Sequence, residues 1–534
     1  MRGGIGEAHE PTGEQWLDRD AGRTVDLAGN QARDGIDVAQ EPTGEQWLVQ
    51  DAGGAVDVVA TRRRHADFLA GTWLPGLGSG VADRAEPRPV RRLRVAFAGA
   101  GSGRAGLTWG QRDIWATMLR QRNWLPLGGR RPLAPGTSLE DVAAELAYLH
   151  GRYQSMRTRL AVDEHGVCQE VAPSGETFLE VFDTATNQDP EALAERVEAV
   201  YRRRPYDLRT EWPVRMAVVR AGGTCTHLVV LMHHLALDAG GAAVMVREVA
   251  VRESAEPDGM QPLEQAAWQS SQAGLRHSDR ALRYFAEALD RLAAGPAPAL
   301  RPGPRRPRHW CGQLVSPALA SAVAAVAARC AVDDSAVLTA VTATAFARLA
   351  GTDRVLMRPR VGNRFRPALG GAVCFVAQSG LLVLELGGAT FDEAVDRARG
   401  ATMAAMKNAY FDPRALETLI GHYAADHGRC PAVALFFNDR HGTGSGTGSG
   451  VGPGADYASA FTWTHRGPEP TEPLSVTIDD AGGALAVALH FDTHTVAPET
   501  IEELAWGIER AAVEAAADGD APTGVGRTPD RRAP

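Results

Sequence analysis

The chain has 534 residues, of which 44% are apolar and 23% charged, with a net charge of −9. That length is more than one ordinary core serves, so two or more packed lobes of a soluble globular protein are expected. The acidic balance excludes the electrostatic footprint of a nucleic-acid binder, and no apolar run approaches the ~20 residues of a membrane span. Six scattered cysteines without a CxxC pair exclude a zinc knuckle and a disulfide framework. With no apolar leader at the N-terminus, a cytoplasmic protein with reduced thiols is expected.

In chain order, EPTGEQWL occurs at 10–17 and again at 41–48, each followed two residues later by Asp-Ala-Gly. Two copies are too few for a solenoid, and the acidic, Gly-rich composition of residues 1–89 predicts disorder. Alternation in RRLRVAFAG (91–99) predicts a strand. LTWGQRDIWATMLRQ (107–121) predicts a helix with Thr108 as N-cap and Ile114, Trp115 and Met118 on one face. Residues 138–160 predict a second helix opened by a Ser138/Asp141 capping box. PVRMAVVRAGGTCTHLVVLMHH (213–234) reads as two strands around Ala-Gly-Gly, the second ending at His233 and His234. The Pro/Arg-rich stretch 296–310 predicts an inter-lobe linker. Beyond it, SPALASAVAAVAARC and SAVLTAVTATAFARLA are helical in pattern. VLMRPRVGN, FVAQSGLLVLEL and PAVALFFND are extended, and LSVTIDD with ALAVALHFD predicts a closing hairpin. Residues 441–455 form a Gly/Ser loop, and 519–534 a disordered tail.

The segment LMHHLALDAGG (231–241) holds the densest polar chemistry. Neighbouring strand residues point to opposite faces, so His233 and His234 cannot share a metal in regular β geometry, and no spaced Cys/His partner completes a site. One imidazole facing a cavity serves as a base or steadies an oxyanion, with Asp238 orienting the loop and Gly240 and Gly241 allowing a close backbone approach. The alternative is a strand end whose histidines only satisfy hydrogen bonds. Spacing alone does not choose between them.

Five stretches in order carry a resemblance. LTWGQRDIW (107–115), RYQSMRTRL (152–160), MHHLALDAGG (232–241), VGNRFRP (361–367) and GGAVCFVAQSGLLVLEL (370–386) resemble the motifs of nonribosomal peptide synthetase condensation domains, which belong to the HHxxxDG acyltransferases. The resemblance spans roughly 90–518 and implies an α+β fold of two chloramphenicol-acetyltransferase-like lobes, 90–295 and 311–518, forming a V with a central tunnel. It implies His234, with His233, as the catalytic pair, and Asp238 as a structural carboxylate. Asp238 would pair with Arg364 of the other lobe, or failing that with Arg360 or Arg358. Gly240, Gly241 and Asn363 are tunnel candidates, and Leu231, Leu235 and Leu237 an apolar lining. Trp109, Trp115 and Arg157 brace the first lobe. No metal or bound cofactor is implied, since phosphopantetheine arrives on an acyl- or peptidyl-carrier protein.

The expected activity is that of a free-standing condensation enzyme. It transfers an acyl group from that thioester to a small-molecule amine or alcohol, with neither nucleic acid nor membrane as partner. Two rivals stand beside it: an acyl-CoA-dependent O- or N-acyltransferase of the same superfamily, and a catalytically silent recruitment module. One departure is visible, Ala239 where the family has glycine. A positive φ at that position would make alanine costly.

Overall fold

The computed structural model describes residues 86–526, apart from 122, 164–165, 294–297, 429–433, 443–457 and 468–471. Both copies of EPTGEQWL and most of the Gly/Ser stretch lie outside the described residues.

The first half runs β1 (Arg91–Ala98), β2 (Gly103–Gly106), α1 (Trp109–Gln121), β3 (Leu127–Pro132), α2 (Leu139–Arg152), β4 (Thr158–Asp163), β5 (Gly166–Val171), β6 (Ser174–Asp183), α3 (Pro190–Arg203), β7 (Val214–Ala221), β8 (Thr224–Met232), α4 (Ala239–Val251), α5 (Pro262–Ser270) and α6 (Gln272–Ala293). Its strands form a five-stranded sheet ordered β1-β6-β7-β8-β3 and a three-stranded sheet ordered β2-β5-β4. The second half runs β9 (His309–Ser316), α7 (Pro317–Cys330), α8 (Asp334–Ala350), β10 (Arg354–Val361), β11 (Gln378–Ser379), β12 (Leu382–Glu385), α9 (Phe391–Lys407), α10 (Pro413–His427), β13 (Leu435–Asp439), β14 (Ala460–Gly467), β15 (Leu474–Asp480), β16 (Leu485–Asp492) and α11 (Pro498–Ala517). Its strands make one eight-stranded sheet ordered β11-β10-β13-β15-β16-β9-β14, with β12 also on β10.

Local chemistry accounts for the helix starts. Thr108 and Gln111 exchange bonds, the Thr108 N–H donating to Oε1 at 2.8 Å and the Gln111 N–H to Oγ1 at 3.2 Å. Ser138 and Asp141 do the same ahead of α2. Each exchange satisfies two of the donors a helix N-terminus leaves orphaned. Gly222 and Gly223, at φ 56° and 84°, supply the left-handed pair that turns β7 into β8.

Several expectations need correction. The helix predicted over 138–160 stops at Arg152, because Tyr153 is extended and Thr158–Asp163 pairs with β5. The linker ends two residues early, since His309 and Trp310 already pair in β9. Of FVAQSGLLVLEL (375–386), expected to be extended throughout, only the short β11 and β12 are strand, and 375–377 lie outside any sheet. The helix that closes the expected first lobe packs across the seam. The apolar stripe of α6, Ala281, Phe285, Ala288, Leu289 and Leu292, packs with Leu356, Leu381, Val383, Phe411 and Ile420 of the second lobe. In the expected disordered tail, residues 519–526 dock on the second lobe, where Val525 joins the main core and its carbonyl accepts from the Gly388 N–H.

In the second lobe, helices cover one face of the sheet. Val355 and Met357 of β10, Val476 and Ile478 of β15, and Val487 and Leu489 of β16 share a core with Val341 and Phe346 of α8 and Ile501 and Ile508 of α11. The alternate residues of β10 face the other way, where Arg360 meets Asp113 of the first lobe.

Candidate active site

β8 ends at Met232, His233 continues extended, and His234–Ala236 form one 3-10 turn before α4. This change of backbone within two residues sends the histidines apart. His233 is 4% exposed and meets the Tyr206 ring edge-on at 5.3 Å. Burial, reinforced by the Arg215 cation, pushes its pKa down to about 3. It is therefore a neutral imidazole buried in the core.

His234 is half-buried, edge-on to Phe375 of the second lobe at 5.1 Å. Its Nδ1 lies 2.9 Å from the Leu237 carbonyl, which can only accept. Nδ1 therefore carries the proton and Nε2 keeps a lone pair. Nε2 has no partner among the described residues, and it is not one of their sealed polar atoms. Burial pushes the His234 pKa down to about 4, against the raising effect of the Leu237 bond, with the Arg360 cation adding to the depression.

Asp238 caps α4 and ties the lobes together. Its Oδ1 accepts from the Gly241 N–H at 2.8 Å and pairs with Arg364 Nη1 at 2.7 Å. Its Oδ2 accepts from the Val376 and Ala377 N–H groups, both at 2.9 Å. Arg364 in turn donates to the carbonyls of Ala372 and Cys374 at 2.9 and 3.1 Å. The arginine paired with Asp238 is thus Arg364, while Arg360 pairs with Asp113 at 2.9 Å. The amides of Val376 and Ala377 leave no mark in a sequence, so this half of the junction was not legible there.

Other expected site residues have different positions. A Cβ on Gly240 would stand 2.7 Å from Arg364 Nη1, and one on Gly241 2.8 Å from Arg364 Nη2 and from Leu237 Cδ1. Both glycines make room for the ion pair rather than for substrate. Asn363 is fully buried, with φ 58°, and its amide donates to the Val376 and Ala409 carbonyls at 3.0 Å each. It is an internal strut. Leu231, Leu235 and Leu237 are buried in three separate core clusters. Ala239 is the exposed first residue of α4 and is not among the positive-φ residues, so alanine carries no backbone strain there. Arg157 is fully buried, donating to the carbonyls of Ala100, Gly101 and Ala172. Trp115 packs in the first lobe, whereas Trp109 reaches across to Tyr410, with ring centroids 5.0 Å apart.

Around the pair the seam is bridged by ions and hydrogen bonds. Arg112 meets Asp412 at 2.9 Å, Arg120 meets Glu472, and Ser155 Oγ donates to the Val373 carbonyl at 2.7 Å. Burial and the Asp412 carboxylate push the neighbouring Glu417 up to about 7. No helix among the described residues is long and apolar enough to cross a membrane.

The family model described as "Condensation domain" matches residues 133–526. Among curated proteins, the chain is 27% identical over 313 residues to nonribosomal peptide synthetase kk1B of Curvularia clavata, covering 55% of this chain. It is 25% identical over 319 residues to cyclosporin synthetase simA of Tolypocladium inflatum, covering 56%. In both cases the match spans 2% of the relative's own length. Among solved structures, the X-domain from teicoplanin biosynthesis superposes with a TM-score of 0.58 at 18% identity, covering 81% of this chain and 99% of that one. A structure on condensation-domain-mediated chain release from the enacyloxin polyketide synthase gives 0.57 at 17%, covering 88% and 90%. SgcC5 of Streptomyces globisporus gives 0.55 at 19%, covering 75% and 94%. At these identities the likeness is one of fold.

Proposed function

We propose that this chain, which belongs to the condensation-domain family, joins an acyl group carried as a carrier-protein phosphopantetheine thioester to an amine, or to a hydroxyl, at His234. The observation that carries the reading is the state of that ring. It is neutral, held by Leu237 through Nδ1, and presents an unpartnered Nε2 at the seam of the lobes. A base needs that protonation state and that free lone pair. In the reaction the acceptor nitrogen attacks the thioester carbonyl carbon, and Nε2 takes the proton the nitrogen sheds. The C–S bond then breaks as the C–N bond is kept, and the proton passes to the departing thiolate. Holding both substrates against one another supplies up to ~7–11 kcal/mol in favourable cases, so a single base and orientation suffice.

Asp238 and Arg364 act as positioning residues, because they fix α4 and residues 376–377 around the turn that bears His234. The test is intact-mass analysis of candidate acyl-carrier proteins with an amine acceptor. His234→Ala should lower turnover by ~10²–10⁴-fold. Unchanged product with that variant would favour a recruitment module, and equal rates with the CoA thioester would favour an acyl-CoA-dependent transferase.

A further inference from the structure

Arg358 stands at the seam without a carboxylate. β10 turns Leu356, Arg358 and Arg360 toward that side, while Val355 and Met357 enter the helix-covered core. Nearby, Arg360 uses Asp113 and Arg120 uses Glu472. The charges of all four reach Arg358, yet among the described residues no carboxylate comes within ion-pair distance of it. With those two carboxylates taken by Arg360 and Arg120, Arg358 has no paired carboxylate of its own. Its partners are the Ser379 and Gly380 carbonyls, at 3.3 and 3.5 Å, and the Phe436 ring 5.3 Å away. Those bonds are long, and a cation set this deep normally has an anion. Burial accordingly holds its pKa below the ordinary arginine value. The side chain is only half-buried by solvent contact, and none of its nitrogens is among the sealed unpartnered atoms, so the guanidinium is reachable.

Its position relates it to His234. The two carbonyls it touches, of Ser379 and Gly380, lie one residue beyond Val376 and Ala377, whose amides bind Asp238, with Gln378 between. Arg360, two residues on and on the same face, is near enough to act on the His234 ring. Arg358 therefore lies roughly 7 Å farther along the strand. Across the sheet the register runs Arg358, Phe436, Ser475, His490, a half-buried and largely polar row on the same face.

We propose that Arg358 is an anion subsite, which takes a carboxylate carried by one of the two groups joined at His234, the acyl donor or the acceptor. This rests on the transfer reading above. A carrier-arm phosphate is not the anion meant, because it lies a full arm length from the thioester. A guanidinium discriminates a carboxylate from its carboxamide isostere by charge and by a forked pair of bonds.

The test compares glutaryl with 4-carbamoylbutanoyl thioesters as donors, and glutamate with glutamine as acceptors, in the wild type, Arg358→Met and Arg358→Lys. The acid should be preferred about tenfold in one of these pairs, and Arg358→Met should collapse the ratio to near unity while Arg358→Lys keeps part of it. Independently of turnover, glutarate but not glutaramide or inorganic phosphate should raise the melting temperature of the wild type, and should not raise that of Arg358→Met. An acid preference unchanged in Arg358→Met overturns the assignment, as does equal stabilisation of both proteins by glutarate or selective stabilisation by phosphate. Selective glutarate binding without any transfer would keep the subsite and remove the transfer reading. Transfer with no acid preference and no glutarate binding would do the reverse.

Discussion

Asp238→Ala puts the junction between the lobes to its strongest test. The wild-type carboxylate is 4% exposed and takes four donors: three backbone N–H groups and the Arg364 guanidinium. Removing it strands a buried cation, which costs ~3–5 kcal/mol. The lost N-cap of α4 is part of that change rather than an addition to it, since caps alone are worth ~0.5–2 kcal/mol. At ~2–4 °C per kcal/mol for a lobe of about 200 residues, the melting temperature should fall by ~6–20 °C at a fixed scan rate. Arg364→Met should cost less, because Asp238 keeps its three amides. The double variant should recover ~1–3 kcal/mol relative to the sum of the singles, the coupling expected when one change removes the charge that the other had stranded. Differential scanning calorimetry of the four proteins measures this. An Asp238→Ala protein that melts like the wild type but has lost all turnover would refute the positioning role, and strictly additive singles would refute the pair.

Ala239→Gly should leave turnover unchanged and cost under ~1 kcal/mol in thermal melts, since Ala239 opens a helix without strain. Gly241→Ala should instead cost ~1–3 kcal/mol and lower turnover, because its Cβ meets both Arg364 and Leu237. In kcat/KM against pH, the limb for the His234 base should fall near pH 4 rather than near 6.5, leaving activity flat above it as far as this group is concerned. Any second limb near pH 7 that disappears in Glu417→Gln would belong to that raised carboxyl. Stability should show the opposite reach. Burial holds His233, and likewise His150 of α2, fully buried and stacked on Phe97, at folded pKa values of about 3 against an ordinary 6.5, so their contribution is complete above pH 6.5 and is lost as pH falls. Each should release ~1.4 kcal/mol per pH unit between 6.5 and 3, measurable by denaturant titration.

Elements with a continuous apolar run and a marked end were the legible ones. α7 and the β15–β16 hairpin bury one regular face, β7 and β8 are buried on both faces between two core clusters, and α8 is buried nearly all round; two glycines or a cap mark their ends. What escaped sequence reading crosses between lobes. α6 carries a clear apolar stripe, yet nothing in its pattern says that the stripe belongs to the second lobe's core. Residues 370–377 are apolar enough to imitate a buried strand, but their amides go to Asp238 and their carbonyls to Arg364, Ser155 and Asn363. Gly240 and Gly241 were expected to admit substrate, whereas the group that lies against them is the Arg364 guanidinium of the same chain.

That arrangement binds the state of the site to the docking of the lobes. The Asp238 carboxylate that starts α4 is also the acceptor for residues 376 and 377, and Phe375 next to them forms one wall of the His234 ring's surroundings. Opening the seam would withdraw Phe375 and Arg364 together. His234 would then gain water, and its imidazole would regain a pKa closer to the ordinary value. A variant that loosens the seam, such as Ser155→Ala with Arg112→Met, should therefore move the acid limb of kcat/KM upward from pH 4. The same limb at the same pH in that loosened protein would place the cause of the depression within the first lobe alone.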